Sequence, residues 1–301
     1  MKPKKEDLLI LGGSGFVGNN LIKNLKSKYD ITSLSRTSRV PGVRNINLDL
    51  NNSDFTFLMK NDFKYVIYLG TVSSPKEAEL KPQETFDSNV TAVQKFLERS
   101  INLGFKKIIL LSSVVLYSSG KQGKLGENHD ISPYSSIYNY SKYIMETLAE
   151  FYNRKYSMPI TIFRLSNTYG PYQTTKKVPY LIPNLFRQAI EDKKMEVWNT
   201  SPVRDWVFID DVVKVISNEL PLSGGGTFNL GTGQGKSVGD VIKIISSLTG
   251  ARFLDLHKPV EPPFNVVCDV DKLQKRIKYT PSTTLESGLK STYNYYKRQY
   301  R

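Results

Sequence analysis

A short, unbroken apolar run, Leu8-Leu9-Ile10-Leu11, leads directly into Gly12-Gly13-Ser14-Gly15-Phe16-Val17-Gly18, and a helix-like Leu21-Ile22-x-x-Leu25 follows. Consecutive large aliphatics mark a strand buried on both faces, which a parallel sheet covered by helices provides. Glycines at 12, 15 and 18 give Gly-x-x-Gly-x-x-Gly between the strand and the helix. That chemistry serves a tight turn, close approach of backbone to a pyrophosphate, and close helix–strand packing, with the anion on the helix N-terminus. As a bare pattern this is a weak signal; at the start of the chain, after a strand and before a helix, it is a strong one.

The rest of the chain keeps the same alternation. Ile31-Thr32-Ser33-Leu34 reads as a second strand and Asn47-Leu48-Asp49-Leu50 as the end of a third. Tyr65-Val66-Ile67-Tyr68-Leu69 is a fourth, followed by Gly70-Thr71. Lys107-Ile108-Ile109-Leu110-Leu111 is a fifth, ending in Ser112-Ser113. Residues 85–103 are helical in pattern, with Phe86, Val90, Val93, Phe96 and Leu97 apolar and Asn89 polar among them; residues 118–133 read as a loop. Short apolar strands alternating with periodic helices predict an α/β fold with a doubly wound parallel sheet of the Rossmann type. On such sheets ligands sit beyond the carboxyl ends of the strands, where Gly12–Gly18, Asp49, Gly70-Thr71 and Ser112-Ser113 all fall. The second strand ends in Ser35-Arg36-Thr37-Ser38-Arg39, without the carboxylate that receives ribose hydroxyls in NAD sites. Arg36 instead offers a planar fork of donors to a 2′-phosphate, so NADP is the expected cofactor, with NAD possible.

A second constellation is Tyr138-Asn139-Tyr140-Ser141-Lys142, at the head of the periodic run Tyr143-Ile144-Met145-Glu146-Thr147-Leu148-Ala149-Glu150-Phe151. Residues four apart share a helix face, so the Tyr138 phenol and the Lys142 ammonium emerge together. A free tyrosine, with a pKa near ~10, is a poor acid–base catalyst at neutral pH. A cation beside it favours the phenolate and brings it towards the working range. Tyr140 and Tyr143 are expected to pack.

Composition excludes several classes. No apolar run approaches the ~20 residues that span a bilayer, and the charged start Met1–Asp7 is unlike a signal peptide, so a cytoplasmic location is expected. Two histidines and one cysteine, Cys268, argue against a zinc site and exclude an intrachain disulfide. The net charge of +14 attracts anions generally, but the lysines are dispersed, without a basic block and interleaved aromatics. A solvated surface is expected, with neither nucleic acid nor membrane as partner.

Taken together, these stretches resemble the extended short-chain dehydrogenase/reductases, in the branch of NAD(P)-dependent nucleotide-sugar epimerases and dehydratases. Leu69-Gly70-Thr71 stands where that family has Leu-Ala-Ala, and Asn89-Val90-Thr91 matches its Asn-Val stretch. Ser112-Ser113-Val114-Val115-Leu116-Tyr117 looks like its Ser-Ser-x-x-Val-Tyr segment, and Tyr138 and Lys142 like its catalytic pair. Arg164-Leu165-Ser166-Asn167-Thr168-Tyr169-Gly170-Pro171, Arg204-Asp205-Trp206-Val207-Phe208-Ile209-Asp210-Asp211-Val212 and Phe228-Asn229-Leu230-Gly231-Thr232-Gly233 follow in family order. The resemblance implies Ser113 as the hydroxyl on the reacting sugar oxygen, Tyr138 as the acid–base, and Lys142 as its partner and a ribose ligand. It places the cofactor along Gly12, Ser14, Gly15, Phe16, Val17, Gly18, Arg36, Asp49, Leu50, Leu69, Gly70, Asn89 and Lys142. Asn167 and Arg204 would hold the substrate diphosphate. Two alternatives stand beside these roles: Ser112 as the active hydroxyl, with register to Tyr138 favouring Ser113, and Arg204-Asp205 as a local salt bridge, worth little if exposed.

Two departures narrow the reaction. Val114 and Val115 occupy positions where dehydratases carry Asp-Glu and decarboxylases a Glu, and neither valine can move a proton. Where many members have Arg-Pro-Gly, this chain reads Glu261-Pro262-Pro263-Phe264. The expectation is an NADP-dependent reductase of a nucleotide-activated 4-keto(-6-deoxy) sugar for surface polysaccharide. The alternatives are a nucleotide-sugar 4-epimerase of the UDP-hexose type with bound NAD, and a non-catalytic NADP-binding member of the fold. The expected division is an NAD(P)-binding domain over 1–166, with later returns near 205–230, and a mainly substrate-binding region over 167–301. Val178–Phe186 should begin a helix facing the sugar nucleotide, and a homodimer through helices at 85–103 and 138–156 is implied.

Overall fold

The structure, a computed structural model, describes residues 5–36, 38–117, 123–174, 180–260, 265–278 and 281–300. Its strands are β1 (Glu6–Leu11), β2 (Tyr29–Ser35), β3 (Arg44–Asn47), β4 (Tyr65–Tyr68), β5 (Lys107–Ser113), β6 (Ile160–Leu165), β7 (Asn167–Tyr169), β8 (Lys194–Val197), β9 (Val203–Phe208), β10 (Gly226–Leu230), β11 (Gly235–Ser237), β12 (Arg252–Asp255) and β13 (Asn265–Val266). The helices are α1 (Phe16–Leu25), α2 (Pro75–Leu80), α3 (Pro82–Phe86), α4 (Ala92–Ser100), α5 (Ile137–Tyr156), α6 (Leu181–Glu191), α7 (Ile209–Glu219), α8 (Val238–Thr249), α9 (Asp271–Ile277) and α10 (Leu285–Gln299). Two compact units result. One comprises Met1–Leu116, Ser132–Arg164 and Val213–Phe228, the other Tyr117–Ile131, Leu165–Val212 and Asn229–Arg301.

The first unit is built on a seven-stranded parallel sheet of order β10-β6-β5-β4-β1-β2-β3. β1 pairs with β2 on one side, Leu8 opposite Ile31, and with β4 on the other, Leu8 opposite Tyr65. The chain runs outward from β1 to β3 and then crosses to β4. This places a topological switch point between β1 and β4, the crevice where such sheets bind ligands. Leu8, Leu9, Ile10 and Leu11 are wholly buried, as their unbroken aliphatic run requires. Burial of each such side chain is worth roughly 1.5–3 kcal/mol. On one face they meet a core of Val66, Tyr68, Val93, Phe96, Leu97, Ile108, Leu110, Met145 and Ala149. At the opposite edge from Ser113, the buried Lys107 ammonium donates to Glu219 Oε1 (2.8 Å), Thr161 Oγ1 (3.3 Å) and the Gly224 carbonyl, satisfying a charge that would otherwise be costly.

The elements differ from expectation in three places. β3 stops at Asn47, and Asp49 instead caps a short 3-10 turn over Leu50–Asn52, accepting from Asn51 N at 3.1 Å. The helix expected over 85–103 is interrupted: α3 passes through a π-helical turn, Asp87–Thr91, into α4. The wider turn carries Asn89, whose buried amide requires partners. Tyr140 is 37% exposed and lies against the exposed Tyr134 ring (centroids 5.9 Å apart) rather than in the core; Tyr143 is half-buried.

In the second unit β9 is the hub, flanked by β11 and β13 and paired also with β7; β8 and β12 form a separate parallel pair. α6 begins at Leu181, while Val178 and Pro179 lie outside the described residues, as do Glu261–Phe264. α8 starts with a reciprocal Ser237–Asp240 cap and stops at Gly250 in the left-handed region (φ 73°).

Candidate active site

β1 ends in the glycine turn. Gly12 has φ +83°, and a Cβ there would lie 2.8 Å from the Leu69 carbonyl carbon and 2.9 Å from Gly70 N. The turn closes through Gly12 N to Leu34 O (2.8 Å) and Gly15 N to Gly12 O (3.1 Å). Gly15 is the N-cap of α1 with no side chain to occupy the helix end, and the first turn, which contains Phe16 and Val17, has no acidic residue. Ser14 is half-buried and its carbonyl accepts from Asn19 Nδ2 at 2.7 Å. At Gly18 a Cβ would lie 2.4 Å from Gly13 O, so glycine is what lets the helix pack on the turn. A backbone cradle bare of side chains, opening on a helix N-terminus, fits the pyrophosphate of a dinucleotide.

The neighbouring strand ends complete this rim. Leu69 N donates to Leu11 O at 2.7 Å. Gly70 leaves room for buried Leu50, whose Cδ1 would lie 2.1 Å from a Cβ at that position. Arg36, just past β2, keeps its side chain 53% exposed and meets Glu84 Oε1 at 3.4 Å; Glu84 also meets Lys81 at 2.8 Å. Asn89 is wholly buried: its Oδ1 accepts from Val72 N (2.7 Å), and its Nδ2 donates to Val72 O (3.2 Å) and Ser141 Oγ (3.0 Å). Ser141 Oγ in turn donates to Tyr138 O at 2.8 Å. Asn89 thereby fastens the segment after β4 to the head of α5.

α5 brings Tyr138 and Lys142 together as their spacing demands. Ser136 caps the helix, accepting from Asn139 N at 3.0 Å. Both side chains are buried, and Lys142 Nζ lies 5.9 Å from the Tyr138 ring centroid. The ammonium donates to Thr71 Oγ1 (2.9 Å) and to Leu111 O (3.0 Å). Burial draws the Lys142 pKa down to about 7, and the negative charge of Glu146 opposes that fall. Ser113 closes β5; its Oγ accepts from Val115 N at 3.2 Å, while Val115 O accepts from Asn139 Nδ2 at 2.9 Å. One residue, Val115, thus links the strand end that bears Ser113 to the helix head that bears Tyr138. Ser112 Oγ is buried with no hydrogen-bond partner.

In the second unit, Asn167 on β7 stands opposite Trp206 on β9, two residues from Arg204 along the same strand. Arg204 is half-buried, donates from Nη1 to Val203 O at 2.9 Å, and has its pKa pulled down by burial. The adjacent Asp205 is wholly buried and accepts four hydrogen bonds from other residues. Oδ1 takes Thr232 N (2.7 Å) and Thr232 Oγ1 (2.6 Å), and Oδ2 takes Gly233 N (2.9 Å) and Cys268 N (3.2 Å). The Arg204-Asp205 landmark therefore ties the Gly231-Thr232-Gly233 loop to β9.

The participants the sequence reading passed over are Thr71 as a hydroxyl partner of Lys142, and Glu146 with Arg164. The signal for Glu146 was present, since 138, 142 and 146 repeat at four-residue spacing. Among the described residues there is no cluster of His, Cys, Asp and Glu able to hold a metal, and no helix long and apolar enough to cross a membrane.

Comparison with known proteins agrees with this layout. A putative UDP-glucose 4-epimerase of Methanocaldococcus jannaschii is 27% identical over 98% of this chain and 99% of its own. The fold matches that of the UDP-glucose 4-epimerase of Thermotoga maritima solved with UDP-glucose (TM-score 0.90, 23% identity, 97% and 99% of the two chains). It also matches the UDP-glucuronic acid 4-epimerase of Bacillus cereus solved with UDP-glucuronic acid and NAD (TM-score 0.88, 24% identity, 98% and 100%). The family model described as "NAD dependent epimerase/dehydratase family" matches residues 8–231, from the first buried strand to the glycine loop held by Asp205, and the chain is an enzyme of that family.

Proposed function

We propose that the protein moves a hydride at C4 of a nucleotide-activated hexose without eliminating water, as a nucleotide-sugar 4-epimerase. The observation that carries this reading is the buried Tyr138–Lys142 pair, with the Lys142 ammonium held by Thr71 and Leu111 at the carboxyl ends of the strands. A bound nicotinamide cofactor supplies the hydride acceptor and donor. Tyr138 takes the proton from the C4 hydroxyl during oxidation and returns it to the same oxygen during reduction. Lys142 stabilises the tyrosinate and presents a donor to the ribose hydroxyls, and Ser113 hydrogen-bonds the reacting oxygen. Gly12, Gly15 and Gly18 admit the pyrophosphate, lined by Ser14, Phe16 and Val17. Asn167 and Arg204 hold the diphosphate of the sugar nucleotide. Val114 and Val115 stand beside Ser113 without a proton to transfer, which favours hydride shuttling over dehydration or decarboxylation.

A second reading, NADP-dependent reduction of a 4-keto-6-deoxy sugar nucleotide, draws support from Arg36. No carboxylate ends β2, and the Arg36–Glu84 contact is an exposed pair of small net worth, so the guanidinium can turn to a 2′-phosphate at little cost. One assay separates the two. Purified protein is incubated with UDP-hexoses without added cofactor, and separately with NADPH and nucleotide 4-keto-6-deoxy sugars. Cofactor-free interconversion of a hexose pair supports epimerisation; mole-for-mole loss of NADPH without it supports the reductase. Turnover in neither arm sinks both.

A further inference from the structure

Glu146 sits one helical turn beyond Lys142 on α5, on the same face and also buried. A carboxylate there needs a partner, and it has a strong one. Arg164 on β6 donates from Nε to Oε1 (3.0 Å) and Oε2 (3.2 Å) and from Nη2 to Oε2 (2.7 Å), with both side chains 9% exposed. The clamp fixes the carboxylate and prevents it from swinging on to the lysine as a simple ion pair. Lys142 stays with Thr71 and Leu111, under a negative charge that does not compete for its donors.

We propose that Glu146, held by Arg164, is a positioning residue for Lys142: its clamped carboxylate keeps the buried amine protonated where it meets the cofactor ribose and Tyr138. This rests on the role given to Lys142 above. Burial alone favours the neutral amine, and Glu146 is the charged group that acts against it. The other charges on elements packed against α5 are exposed, half-buried or engaged by other partners. On α2, Lys76 and Glu79 are exposed, Glu77 is half-buried, and Glu79 accepts from Ile137 N. On α3, half-buried Glu84 is engaged by Lys81 and Arg36, and Asp87 of the π-helical turn is half-buried and accepts from Gln83. On α4, Lys95, Glu98 and Arg99 are exposed, and on β5 Lys107 lies at the far end with Glu219. The neutral groups nearest the ammonium are Tyr138, Thr71 and Leu111 O.

The test follows the lysine directly. Protein labelled with 13C at lysine Cε is titrated by NMR, the Lys142 resonance being assigned by its loss in Lys142→Met. Glu146→Gln keeps shape and removes the charge. The expected result is a Lys142 midpoint lower by about one pH unit or more, a tenfold loss of proton affinity, with NADH binding weakened at pH 8 and restored towards wild type at pH 6. Where Glu146→Gln leaves Arg164 unpaired and fails to fold, Glu146→Gln/Arg164→Gln removes both charges and should shift the midpoint in the same direction. An unmoved midpoint in the folded variant overturns the proposal and leaves the function intact. Unchanged NADH affinity in Lys142→Met removes the ribose role of Lys142, and the proposal with it.

Discussion

Asp205→Asn is a nearly isosteric change with a large expected cost. Each carboxylate oxygen accepts two hydrogen bonds in a wholly buried setting. Asparagine can keep one oxygen, best placed towards Thr232 N and Oγ1. Its NH2 group then faces the N–H groups of Gly233 and Cys268, two donors that lose their acceptor. A buried donor without a partner costs about 1–3 kcal/mol, so the pair costs about 2–6 kcal/mol. Cys268 supplies the assay, because it is the only cysteine in the chain, it is 1% exposed, and burial and the Asp205 charge hold its thiol protonated. A thiol-specific disulfide reagent reaches it only when this loop opens. The open thiol no longer faces Asp205, so the ratio of labelling rates reports opening alone. The substitution should speed labelling between about thirtyfold and about twenty thousandfold. Thr232→Val loses the hydroxyl's bond to Asp205 and the one it accepts from Gln234 N, an exposed amide that water can serve, and leaves the buried Gly233 and Cys268 amides satisfied, so it should change labelling about tenfold at most. Labelling of Asp205→Asn within threefold of wild type, with an unshifted melting temperature, would refute the account of Asp205 as the knot of this unit.

Three further outcomes are expected. Tyr138→Phe should lower turnover by about 10²–10⁴, the range for a removed acid–base group, and leave the cofactor dissociation constant within twofold; near-normal turnover removes Tyr138 from the mechanism. Lys142, drawn down to about 7 in the folded chain against ~10.4 unfolded, binds fewer protons folded than unfolded between those values, so it makes stability rise with pH across that window. The cost of its buried charge is fully present below pH 7. Urea titrations should therefore show wild type gaining on Lys142→Met by on the order of 3 kcal/mol between pH 7 and 9.5, and a constant difference contradicts the buried charge. Arg36→Ala should erode any preference for NADPH over NADH by about tenfold, the low end for a charge-assisted contact, because the side chain is 53% exposed and engaged with Glu84. Equal loss for both cofactors means that the arginine reads no 2′-phosphate.

What was legible in the sequence is what local pattern dictates. Four aliphatics followed by spaced glycines specify β1, its turn and α1, because each requirement lies within a few residues of the next. The Tyr138–Lys142 pair was legible for the same reason: one helix sets both side chains on one face. The partners of buried polar groups were not, because they are chosen across the fold. Asn89, placed by resemblance among cofactor contacts, spends its amide on Val72, 17 residues away, and on Ser141, 52 away. Asp205 reads as a salt-bridge partner of its neighbour, yet its acceptors are filled by residues 27, 28 and 63 positions on. Glu146 belongs half to each kind. Its distance from Lys142 follows from helical spacing, but whether it would bond the lysine or stand off from it depends on Arg164, which only the packing of α5 against β6 supplies. A free Glu146 would draw the ammonium along the helix, away from Thr71 and the strand ends. The distant arginine therefore converts a spacing readable in the sequence into an arrangement that can serve the cofactor.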